Sequence, residues 1–95
     1  MKILRVFGQD FKVKYKDLSN EDHEGMCHKD TKLIEIHNKL KGDKRIGVEL
    51  HEAMHALFYR LGYDEWMTER EQECLCEQIS TLLIENYKIE WKRKS

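Results

Sequence analysis

Proline is absent from the sequence, so no segment with helical periodicity is kinked from within by a missing backbone amide. Cysteine is scarce: Cys27, Cys74 and Cys76 are an odd number without the spacing of a disulfide framework, and a chain with a usable core does not require one. Reduced thiols in a cytoplasm are expected. No apolar run approaches the roughly 20 residues that span a bilayer, and Met1 to Arg5 lead into polar sequence rather than the apolar centre of a signal peptide. An excess of either charge is also missing, with 17 Lys and Arg against 18 Asp and Glu and a formal net charge of -1. Neither nucleic acid nor an anionic membrane is therefore an expected partner. The one concentrated basic run, Lys92-Arg93-Lys94, reads as a solvated tail.

What is present suffices for one compact core and no more, at 95 residues and 40% hydrophobic content. Ile3, Leu4, Val6 and Phe7 form an apolar segment broken at Gly8-Gln9-Asp10, after which Phe11, Val13 and Tyr15 alternate with Lys12, Lys14 and Lys16. That pattern predicts a hairpin with one solvated face. Asp17 to Glu24 is polar and suits a loop or a single helical turn capped by Ser19. Met26-Cys27-His28, the turn-like Lys29 to Lys32 and Leu33-Ile34-Glu35-Ile36-His37 predict a second hairpin.

The periodicity then changes. Ile46, Leu50, Met54, Leu57 and Leu61 recur at helical steps, with Asp43 available as N-cap and Gly62 as terminator. Thr68 and Glu71 form a capping box before a second amphipathic helix marked by Leu75, Ile79, Leu82 and Leu83. A single α+β domain follows: residues 1–40 as a small antiparallel sheet of two hairpins, 43–62 and 68–89 as two long antiparallel helices packed on it, and 90–95 as a tail.

The first helix carries His51-Glu52-Ala53-Met54-His55. Histidines four apart share a helix face and can reach one tetrahedral metal, and Glu52, about 100° around, can face a water on that metal. Such a carboxylate can take the water's proton as it attacks a peptide carbonyl. A catalytic zinc needs three protein ligands and an open position. No third His or Asp follows His55 at a suitable spacing, so the third ligand is expected to be a carboxylate of the next helix, from Glu69, Glu71, Glu73 and Glu77. Glu73 shares a face with Cys76 and Ser80, both small enough for close helix approach, and Glu77 is its alternative. Cys74 and Cys76 stand some 200° apart on that helix and cannot converge on one ion. His23, His28 and His37 have no ligand spacing.

Over roughly residues 25 to 86 the sequence resembles the minimal gluzincin zinc metallopeptidases, including small phage-encoded peptidases and the peptidase core of ImmA/IrrE-type proteins. In that family a hairpin precedes the His-Glu-x-x-His helix, and the next helix bears a Glu with a small residue three positions on and an apolar-small pair near the seventh. Glu73, Cys76, Ile79 and Ser80 match. The resemblance implies a zincin-like fold and one zinc ion held by His51, His55 and Glu73, with Glu52 as catalytic base. It also implies a peptide or protein substrate held along an edge strand at Leu33 to His37 and, for a phage protein, a bacterial host cytoplasm. It carries over no oxyanion-stabilising residue; Tyr59, Tyr63 and His28 are candidates, Tyr59 being better suited to the core. Two other readings use the same residues. One is a catalytically silent zincin-like module that retains the metal and regulates or binds a protein partner. The other is a structural metal domain closed by a fourth ligand.

Overall fold

The computed structural model describes residues 2–92. Four strands precede two helices: β1 (Lys2–Val6), β2 (Gln9–Lys16), β3 (Gly25–His28), β4 (Leu33–His37), α1 (Gly42–Leu61) and α2 (Glu69–Asn86), with a 3-10 turn at Tyr63–Glu65 between the helices. This is the α+β order read from the sequence.

β1 and β2 pair antiparallel with Val6 opposite Gln9. Their turn is Phe7-Gly8, one residue earlier than expected, with φ of +48° and +83°. Two left-handed residues give the turn whose twist matches the flanking strands. Gly8 adopts that conformation freely, whereas Phe7 adopts it against its own side chain, which is left exposed. Arg60 of α1 secures the tip, Nε and Nη2 donating to the Val6 and Phe7 carbonyls at 3.2 and 2.8 Å.

β3 and β4 form the second antiparallel hairpin. The hairpins join through a parallel pair, Val13 opposite Ile34 and Tyr15 opposite Ile36, giving the order β1-β2-β4-β3. The sheet is therefore mixed rather than wholly antiparallel, and β4 is interior rather than the expected edge. Burial explains the exchange: Ile34 and Ile36 are 1% and 0% exposed, as suits a strand covered by α1, while β3 begins at a glycine and carries Met26 and His28, as suits an edge. The crossing segment 17–24 is a loop, the first of the two forms its polar sequence suits, with one turn closed by the Glu21 amide donating to the Leu18 carbonyl at 2.9 Å. Ser19 is not a cap; its amide donates to Asp17 Oδ1 at 2.9 Å.

The strict alternation of β2 is realised. Phe11 and Val13 point inward with Ile34 and Ile36 and meet Val6, Leu40 and Ala56, while Lys12, Lys14 and Lys16 face solvent. Each large buried side chain in this set contributes roughly 1.5–3 kcal/mol.

α1 meets the sheet with an unexpected face. Ile46, Leu50, Met54 and Leu57 are only half-buried and Leu61 is exposed, whereas Glu49, Glu52, Ala56 and Phe58 are buried. Ala56 lets the helix approach closely. Glu49 is tolerated because its carboxylate is engaged on all sides: Tyr15 Oη donates at 2.5 Å, Trp91 Nε1 at 3.0 Å and Arg45 Nε at 3.3 Å. Trp91 thus brings the segment after α2 back onto the groove of Ile46 and Leu50, so the expected tail starts beyond it. Lys92 is exposed; Arg93 and Lys94 of the basic run lie outside the described residues.

Lys41, without a side-chain cap, precedes α1 in place of Asp43, which sits in the first turn where its charge still suits the positive helix end. Gly62 ends α1 at φ +77°, its amide donating to Phe58 and Tyr59 carbonyls. The Thr68–Glu71 capping box forms as read, at 2.8 and 3.1 Å. α2 packs along α1, and the pairings of His55 with Glu73 and His51 with Glu77 make the two helices antiparallel. Its buried residues are Gln72, Cys76 and Ser80, while Leu75 and Leu82 are exposed. Among the described residues no helix is long and apolar enough to cross a membrane.

Candidate metal centre

α1 presents His51 and His55 one turn apart, with ring centroids 5.2 Å from each other and both side chains mostly buried. α2 lays one carboxylate across them. Glu73 Oε2 lies 3.0 Å from His51 Nε2, and Glu73 Oε1 lies 2.8 Å from His55 Nε2. The other ring nitrogens have separate neighbours: Glu77 Oε2 at 3.4 Å from His51 Nδ1 and Gln72 Oε1 at 3.4 Å from His55 Nδ1. Of the two carboxylates left open by spacing, Glu73 therefore stands on the Nε2 side shared by both rings and Glu77 on the Nδ1 side of one. Glu69 lines the same cleft further along, and Glu71 is occupied in the helix cap.

Cys76 joins this group. His51, His55 and Cys76 offer ligand atoms that all lie within 4.8 Å of one another, close enough to hold a metal ion. Cys76 is 0% exposed, and its thiol is pushed up to about 12, first by burial and then by the negative charges of Glu73 and Glu52. The sequence excludes Cys76 from sharing an ion with Cys74 and otherwise marks it as a small packing residue. The available signal was its position, three residues after Glu73 on the same face.

Glu52 lies at the cleft floor, 7% exposed. Burial pushes its carboxyl up to about 7; His51 and His28 pull the other way, and Glu73 adds to the rise. The edge strand β3 passes directly over it. A β-carbon on Gly25 would fall 3.0 Å from Glu52 Cγ and 2.8 Å from Val48 Cγ1. Glycine is needed here for space, its φ being unexceptional.

A cleft of about 800 Å³ runs between β3 and α2 with α1 as its floor, and His51, Glu52, His55 and Glu73 line its middle. None of the three oxyanion candidates lines it. Tyr59 Oη accepts from Lys32 Nζ at 3.4 Å, Tyr63 is half-exposed, and His28 Nε2 pairs with Glu35 Oε1 at 2.8 Å. That pair, with Lys16, holds the Glu35 carboxyl below its ordinary value. His37 Nδ1 accepts the Leu18 amide at 3.0 Å, and His23 stands on the cleft wall. Ser80 Oγ, also lining the cleft, is buried without a hydrogen-bond partner among the described residues.

No protein-family model, no curated protein and no solved structure matches the chain.

Proposed function

We propose that the protein is a zinc-dependent peptidase of minimal gluzincin type, with His51, His55 and Glu73 as metal ligands and Glu52 as general base. The observation that carries this reading is the Glu73 carboxylate spanning the two Nε2 atoms while acceptors stand at both Nδ1 positions. An imidazole that donates from Nδ1 keeps its Nε2 lone pair for a metal.

The residues fit the ion. Two imidazoles and a carboxylate are a donor set that zinc accepts. The Glu73 carboxylate stands 2.8 and 3.0 Å from the two ring nitrogens, through Oε1 to His55 and Oε2 to His51.

Bound there, zinc would bring the pKa of a water it holds to about 7 and polarise a carbonyl. Glu52, buried at the cleft floor, would take a proton from the attacking water and pass it to the leaving amine. The unpaired outer edge of β3 offers backbone donors and acceptors to an extended peptide or protein substrate, and Gly25 lets that edge approach Glu52. Orientation of the peptide, rather than a further charged group, would then supply much of the rate.

Zinc-loaded wild type is expected to cleave an unstructured protein such as casein. Glu52→Gln should lose about 10²–10⁴-fold in rate while keeping its metal; full activity in that variant would contradict the assignment. Cys76, grouped with His51 and His55, favours a second reading in which it joins them and Glu73, which contacts both rings, to close the site, and the metal serves folding. An exchangeable water found on the bound metal would exclude it. A silent metal-retaining interaction module is the remaining alternative, and Glu52→Gln would leave its partner binding intact.

A further inference from the structure

The cleft is unevenly charged. In the half between the start of α1 and the end of α2, the lining includes Asp43, Glu77 and Glu85 together with Glu24 and Lys44. Lys44 is already matched, its Nζ 3.0 Å from Glu24 Oε1. Asp43 and Glu85 have no lysine or arginine within ion-pair distance among the described residues, and Glu77 has only His51. The opposite half is nearly balanced, Lys29 Nζ standing 3.3 Å from Asp64 Oδ2 with Glu69 left over. The positive end of α1 and the negative end of α2 adjoin in the acidic half and offset each other, so the side chains set its potential.

Ser80 supplies an independent observation at the same place. It is 4% exposed, its Oγ has no partner among the described residues, and it lines the cleft seven residues beyond Glu73 toward the acidic end. A buried hydroxyl left unpaired is unfavourable, and a donor entering the cleft would satisfy its oxygen. Small residues leave room for one: Gly47 and Thr81 line the same half.

We propose that this half of the cleft is a cation-binding subsite that selects peptide segments carrying a lysine or arginine near the cleaved bond. The ammonium or guanidinium donates to Asp43 and Glu85, with Ser80 Oγ as a further acceptor. The inference rests on the peptidase reading for the claim that the bound peptide is cut, and on the cleft alone for its charge preference. Direct contact of the cation with two carboxylates that have no lysine or arginine in ion-pair distance among the described residues gives about a tenfold preference at low salt, falling as salt is raised.

The test uses the full-length, zinc-loaded Glu52→Gln protein and fluorescent peptides that differ only in a single lysine or glutamine. At about 50 mM salt the lysine peptide should bind about tenfold more tightly, and the difference should vanish in the further Asp43→Asn, Glu85→Gln variant while persisting with Glu69→Gln. Equal binding of the two peptides, or a preference that survives loss of Asp43 and Glu85, overturns the subsite. A lysine preference in binding with no cleavage of either peptide by wild type would uphold the subsite and reject the peptidase reading. Equal binding with cleavage of both would do the reverse.

Discussion

Gly25 of the edge strand lies so close to Glu52 of the long helix that a β-carbon added to the glycine would fall 3.1 Å from the carboxylate oxygen Oε2. The carboxylate is thereby held between a strand backbone above and two histidine-bearing helical turns beside it. Substituting Gly25→Ala should displace it, because the nearest contacts are the body of Glu52 and Val48 rather than the end of a flexible chain. About 1–3 kcal/mol of stability should be lost, and cleavage should fall at least tenfold. Denaturant titration and a casein assay read the two effects, and an alanine variant as stable and active as wild type would show that the contact constrains nothing.

The Glu35 carboxyl is held below its ordinary value of 4.5 first by its hydrogen bond with His28 and then by Lys16, against the opposing effect of burial. A depressed folded-state value means that this group stabilises the fold above about pH 4.5 and that the contribution is lost as pH falls through the lowered value. Glu35→Gln should therefore cost about 1 kcal/mol at neutral pH and nothing near pH 2. Parallel denaturation curves at both pH values check the sign; an equal cost at both would assign the effect to packing.

Phe7 holds φ at +48° in the first hairpin turn with its ring 67% exposed. Asparagine tolerates that conformation better and loses no burial. Phe7→Asn should raise Tm by a few degrees, equivalent to about 0.5–1 kcal/mol. A lower Tm would mean that the exposed ring makes a stabilising contact.

Of the three thiols, Cys74 is exposed, whereas Cys27 and Cys76 are pushed up to about 11 and 12, in each case chiefly by burial. Alkylation of the native protein at neutral pH should label Cys74 first, and the other two only on unfolding. Rapid labelling of Cys76, read by mass spectrometry, would place it in an accessible thiolate state.

The local parts of the fold were legible because local chemistry determines them: the β2 alternation, the Thr68–Glu71 box and the Gly62 terminator each depend on a few adjacent residues. Strand order was not, because hairpin turns fix which strands are sequential neighbours but not which hairpin edge meets the other; burial of Ile34 and Ile36 decided that. The apolar stripe of α1 misled for a related reason. Glu49 is satisfied by Tyr15, Arg45 and Trp91, three residues distant in sequence or unremarkable in pattern, so a polar face could turn inward. In the candidate site, His51, Glu52 and His55 follow from one helical turn. Glu73 and Glu77 were inseparable by spacing alone, since only the docking of α2 reveals which ring nitrogen each carboxylate meets. Cys76, weighed as a ligand only together with Cys74, was not joined to the histidines, because a position three residues after Glu73 marks a shared helix face and only docking shows what that face meets.

The most direct measurement is the metal content of purified protein after mild chelation, for wild type and for His55→Ala, Glu73→Ala, Glu77→Ala and Cys76→Ser. About one zinc per chain is expected in wild type, none in His55→Ala and a severe loss in Glu73→Ala. Glu77→Ala should weaken binding by about 10–100-fold, and Cys76→Ser should retain the ion. Zinc-free wild type under metal-replete conditions, or a full complement of zinc in His55→Ala, would contradict the metal centre and the function proposed for it.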